Sequence, residues 1–143
     1  MNPDVGTILD KSIEKIASGL NEHGAAFAQG TVGLLSTVLT MAAKEYDRGA
    51  DIRVAENSDL RALFGEIAGA VGDAELRAGL EAAAASADEN LRISTLNANN
   101  YALRRLLTEA MIFAELHRLS DAEKKIWAVL KAAATRRLVQ LGP

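Results

Sequence analysis

From Leu91 to Arg118 the chain reads LRISTLNANNYALRRLLTEAMIFAELHR, and along it steps of three and four residues pick out a seam. The seam is Ile93, Leu96, Asn100, Leu103, Leu107, Ala110, Ala114 and His117. Such spacing follows the 3.6-residue turn, so it predicts a helix with one face committed to packing. No Pro or Gly interrupts it, and only Asn100 and His117 are polar. This helix is expected to be central, with the rest of the chain packed around it.

The same reading places other helices on both sides. Residues 3–20 carry Leu9, Ile13, Ile16 and Leu20 on one stripe, with Asn2 suited to the N-cap and Pro3 to the first helical position. Gly24 is expected to close that helix. A second helix begins between Ala25 and Thr31 on the seam Ala28, Val32, Leu35, Leu39, Ala42 and Tyr46. Leu34, Val38 and Met41 widen it to two apolar faces, which suits a central helix or one covered by a second subunit.

Residues 47–58 fit either a loop begun at Gly49 or a helix continuing to Val71 through Leu60, Leu63, Phe64 and Ile67. Gly72-Asp73 reads as a stop and a new N-cap, followed by a short helix over 73–84. Ser86-Ala87-Asp88 is expected to cap the central helix. Ser120 to Glu123 reads as a capping box. Behind it Trp127, Leu130, Ala134, Leu138 and Leu141 form the stripe of a last helix, with Trp127 in the core or an interface.

Composition agrees with this pattern. Ala and Leu, the strongest helix formers, dominate, and the two prolines stand at positions 3 and 143. The expected fold is all-α: an up-down bundle of four or five helices with two long central ones, in a single domain over 1–143. The most apolar run, Thr31 to Ala43, falls short of the roughly 20 residues of a membrane span. The N-terminus has Asp4 and Asp10 where a secretory signal carries positive charge. A cytoplasmic location is therefore expected, and the Ala/Arg/Leu bias suits a GC-rich bacterial genome. Net charge is −3, although residues 118–143 carry six Lys/Arg against two acids. Arg136 and Arg137 fall in the final turns, where cations favour the helix dipole, so the basic tail needs no nucleic acid. No membrane partner is expected either.

A short motif recurs. Ala55 to Phe64 and Ala98 to Leu107 both read A-x-N-x-x-L-R-x-L-[FL]. On a helix its Asn and Arg share one side, and a seam Asn is costly unless hydrogen-bonded. If the two copies run antiparallel, Asn57 and Asn100 can pair, or each can meet the other's arginine. Asn57, Arg61, Asn97, Asn100, Tyr101 and Arg104 are thus the candidate polar cluster. It either fixes helix register or binds an anion or peptide end through Arg61 and Arg104.

Catalytic chemistry is sparsely represented. The chain has no Cys, which excludes disulfides and thiol catalysis, and its two histidines lack the Glu-x-x-His spacing of di-iron bundles. No metal, no cofactor and no catalytic residue is expected. His117, on the seam, is expected to be partly buried and bonded to a neighbour. An enzyme would require a cleft converging on it with an acid nearby. Gly24, Gly30 and Gly33 lack the Lys-Ser/Thr of a phosphate loop.

Leu96-Asn97-Ala98-Asn99-Asn100, followed by Leu103, Leu106 and Leu107, is similar to the Leu-Asn-x-x-Asn and apolar residues of the C-terminal helix in flagellar export chaperones. The stretch is short, and what it implies is only an export-chaperone-like alternative. The leading expectation is a non-enzymatic adaptor or accessory module that binds a protein by helix packing, with self-association as a homodimer. A ligand-binding bundle built on the Asn/Arg cluster is the alternative.

Overall fold

The structure is a computed structural model that describes residues 8, 11, 12, 15 and 25–138. Positions 8, 11, 12 and 15 are helical; the remainder of the expected 3–20 helix, its caps and Leu141 lie outside the described residues. The fold is all-α: α1 spans Ala25–Ile67, α2 Ala74–Ala84, α3 Ile93–His117 and α4 Ser120–Arg136, and a 3₁₀ turn, Ala68–Ala70, follows α1. No strand occurs among the described residues, and no helix there is long and apolar enough to cross a membrane.

The ambiguity at residues 47–58 resolves as continuous helix, with Gly49 inside α1. Its missing side chain faces Ile93 Cδ1, 3.6 Å from where a Cβ would stand. Contacts divide the chain between Arg48 and Gly49 into two compact units. In the first, Leu34, Leu39 and Tyr46 are exposed and Ala42 is buried.

The second unit, Gly49–Leu138, is a four-helix up-down arrangement. Pairing along it is regular: Gly49 faces Ile93, Arg53 reaches Asn97 and Asn57 meets Asn100. Residue numbers rise together, so α1 and α3 run parallel rather than antiparallel. The two copies of the repeated motif therefore lie side by side in register. The short α2 supplies the return: Gly65 faces Ala84 and Arg61 reaches Ser86, an antiparallel order. So does α4, where Lys125 pairs with Glu66 and Arg136 with Asp59.

The core lies between these helices. Leu60, Leu63, Phe64 and Ile67 of α1 meet Leu80 of α2, Leu103, Leu107, Ala110 and Ala114 of α3, and Ala122 and Ile126 of α4. Ile93 and His117, at the two ends of the predicted seam, are exposed, because each stands in an end turn of α3 at the margin of the packed core. His117 lies against its own helix, its Nδ1 2.9 Å from the Phe113 carbonyl and its ring stacked on Phe113. The α4 stripe is rotated by one position from the predicted one. Ile126 and Ala133 face in, and Trp127 and Leu138 face out. The expected stripe weighted the large Trp127 over Ile126, and packing favoured the residue without a polar ring atom.

Caps differ in detail. Asp73 caps α2 as expected, its carboxylate accepting the Leu76 amide at 2.8 Å. The Ser120 capping box does not form: Ser120 is already helical and no side chain caps α4. Between α3 and α4, Arg118 takes the left-handed conformation at φ 55°. Leu119 and Arg118 amides donate back to Ala114 and Glu115, a Schellman closure tight enough to turn the chain without a glycine. Nor does Asp88 cap α3, which starts five residues later at Ile93 behind Arg92.

Candidate functional site: a buried Asn/Arg layer

Within the second unit, one turn before Leu60 on α1 and Leu103 on α3, the core becomes polar. Glu56, Asn57 and Asn100 are buried there, Glu56 with 1% of its surface exposed. A polar group in such a place is costly unless each donor and acceptor finds a partner. Here they do.

Asn100 Nδ2 donates to Asn57 Oδ1 at 2.9 Å, joining the two copies of the motif directly. Asn57 Nδ2 donates in turn to Asp88 Oδ1 at 3.0 Å and to the Leu96 carbonyl at 3.2 Å. The two motif arginines go to different partners. Arg61 grips both carboxylate oxygens of Asp88, at 2.8 and 3.1 Å, and its Nε reaches Ser86 Oγ. Arg104 Nε donates to Asn100 Oδ1 on its own helix at 3.1 Å, and its Nη2 lies 3.6 Å from Glu56. Asn97 accepts from Arg53 Nε at 2.6 Å. Tyr101 stays outside the cluster, on the exposed side of α3.

Five members, Glu56, Arg53, Asp88, Asn99 and Arg137, lie outside the cluster that the sequence predicts. Glu56 is central: Arg137 of the α4 C-terminus binds both its carboxylate oxygens, Arg53 lies 3.4 Å away and Arg104 stands behind. Asp88 collects Arg61, Asn57 and Asn99, the last at 2.8 Å. Arg137 therefore serves a buried carboxylate rather than the helix dipole, and Arg136 pairs with Asp59 at 2.6 Å.

The charges are matched to these partners. Burial pushes the Glu56 carboxyl up, but the Arg137 hydrogen bond and the charges of Arg137, Arg104 and Arg53 outweigh it and hold it below its ordinary value. Asp88 is held low chiefly by its hydrogen bonds with Arg61, against a smaller opposing effect of burial, with Asn99 and Asn57 adding to it. Arg104 is pulled down by burial first and by the neighbouring Arg137, with Glu56 opposing both.

Chemically the layer is saturated. Its carboxylates are occupied, its one hydroxyl, Ser86, is bonded to Arg61 and the Ala83 carbonyl, and no group of His, Cys, Asp and Glu fit to hold a metal occurs among the described residues. A cavity of about 280 Å³ opens beside it, lined by Arg61, Ser86, Asn99 and Arg105 and by the apolar Ala83, Ala102 and Leu106. His117 does not border this cavity.

No protein-family model, curated protein or solved structure matches the chain.

Proposed function

We propose that this chain is a non-enzymatic cytoplasmic interaction module, an adaptor or accessory protein that binds a protein partner by helix packing. The observation that carries the reading is the outward side of α3. Its buried stripe, Leu103, Leu107, Ala110 and Ala114, faces the core. Directly opposite, Tyr101, Ile112 and Leu116 expose 54%, 53% and 75% of their surface. Large apolar side chains repeating on the solvent side of a helix suit a helix-on-helix contact. The polar layer supports the same reading, because its groups are engaged with one another and hold α1, α3 and α4 as a rigid platform.

The test is a photo-crosslinking residue at position 112 in cells, with the same residue at Lys131 on α4 as control. Adducts to protein at 112 and not at 131 are expected. Equal or absent adducts at 112 would overturn the reading.

The cavity beside Arg61 and Asn99 favours a second reading, a ligand-binding bundle. A small carboxylate held there would move the Asn99 side-chain amide resonances, and Asn99→Ala would abolish its binding. Unmoved resonances across a series of small carboxylates would dismiss it.

A further inference from the structure

We propose that the partner of the α3 outward face is a second copy of this chain, docked antiparallel about a two-fold axis near Thr108 and Glu109. The inference rests on the interaction reading above and names its occupant.

The argument is the charge order along α3. From Ile93 to Arg105 the helix holds Arg104 and Arg105 and no acid; from Leu106 to His117 it holds Glu109 and Glu115 and no Lys or Arg. This order runs against the helix dipole, which favours acids near the start and cations near the end. Arg104 is engaged with Glu56 and Asn100, which leaves Arg105 as the cation of the outward face. Its contact within the chain is weak: Glu109 is 3.9 Å away, both side chains are largely exposed, and a cation four residues before an acid is the poorer orientation on a helix.

Tyr101, Arg105, Thr108, Ile112 and Leu116 follow one another at steps of three and four and so form a single outward stripe. The stripe is self-complementary in the antiparallel sense. A two-fold axis between Thr108 and Glu109 sets Tyr101 against the second copy's Leu116. It sets Arg105 against the second copy's Ile112, between that copy's Glu109 and Glu115. The arginine stem then covers the isoleucine while its guanidinium lies between two carboxylates, and the contact occurs twice. The antiparallel order also lays the positive end of each helix dipole beside the negative end of the other. A parallel second copy would place Arg105 beside Arg105 and Glu109 beside Glu109, so the charges select one orientation.

Sedimentation equilibrium on the purified full chain tests this. A monomer–dimer equilibrium is expected. Arg105→Glu should raise the dimer Kd by about tenfold or more, because like charges then meet twice. The triple variant Arg105→Glu, Glu109→Arg, Glu115→Arg reverses the whole pattern and should restore the dimer. Leu116→Glu should abolish it while the helical circular dichroism of the chain is unchanged. A purified monomer would overturn the second copy; position-112 adducts to other proteins would then leave the interaction reading standing. A dimer indifferent to Arg105→Glu and Leu116→Glu would place the contact elsewhere and overturn the proposal. So would a triple variant that stays monomeric beside a dimeric parent.

Discussion

Glu56 and Leu60 stand four residues apart on α1, in layers that α3 completes in different ways. Leu60 belongs to the apolar cluster that also holds Phe64, Leu103 and Leu107, and the contact there is apolar packing. At Glu56 they are Arg53, Arg104, Arg137 and Asn100, each held by a directed bond or a charge. Ile52 and Leu96 are buried again beyond the polar layer but do not join the main apolar cluster. Apolar packing is non-directional and tolerates neighbouring arrangements of similar volume. Hydrogen-bonded pairs are not tolerant in this way: sliding α3 by one turn would leave Asn57, Asn100 and Glu56 unpaired in a dry place. We propose that the apolar layer supplies driving force and that the polar layer restricts which alignment of the parallel helices can use it.

The largest effect that probes this contrast is removal of Glu56. Glu56→Ala leaves three arginines facing one another, and a loss of about 3–5 kcal/mol is expected in urea unfolding. The same group governs acid sensitivity. Both layer carboxylates titrate low in the fold, so the unfolded chain takes up their protons first as pH falls. Their stabilisation is present above the ordinary values, 4.5 for Glu56 and 3.8 for Asp88, and is lost as pH falls through the lower folded values. Glu56→Gln should therefore flatten the acid limb of the stability curve, and a curve parallel to that of the parent would contradict the assignment.

Asn57→Leu comes next. It conserves volume but strips Asn100, Asp88 and the Leu96 carbonyl of a partner, which costs about 1–3 kcal/mol. The double variant Asn57→Leu, Asn100→Leu should lose less than the two singles together, by about 1 kcal/mol or more. Its amide NMR spectrum should show more than one set of peaks, as alternative alignments become populated. A single sharp set would mean that the apolar layer alone fixes register. The smallest effect belongs to Leu63→Met, a volume-conserving change in the apolar layer, at about 1 kcal/mol with one set of peaks. A cost equal to that of Asn57→Leu would erase the distinction between the two layers.

Much of the architecture was legible in the pattern of apolar residues, because the α3 seam is unbroken and six of its eight positions are buried. The Asn pair was legible too, since an Asn on a seam demands a partner. The direction of pairing was not: the motif states that two Asn are alike, and only the short α2 between them makes their helices parallel. Glu56 was concealed by Gly49. With residues 47–58 open to a loop reading, the stripe resumes only at Leu60, Leu63, Phe64 and Ile67 and does not reach position 56, where a carboxylate interrupts it. Asp88 and Arg137 each fit a local task in their sequence neighbourhood, a cap and a helix dipole. Their actual partners are distant in the chain, and single-residue chemistry carries no sign of that.

The clasp between Glu56 and Arg137 spans 81 residues. On a ribosome adding about 5–20 residues each second, the carboxylate emerges roughly 4–16 s before the arginine that neutralises it. During that interval the nascent α1 and α3 can meet through their leucines, but the ionic layer lacks its chief cation. Until then Arg53 and Arg104 are the cations within reach of Glu56, so the ionic layer is completed only with the end of α4, after the residues of the Asn57–Asn100 pair are already in place.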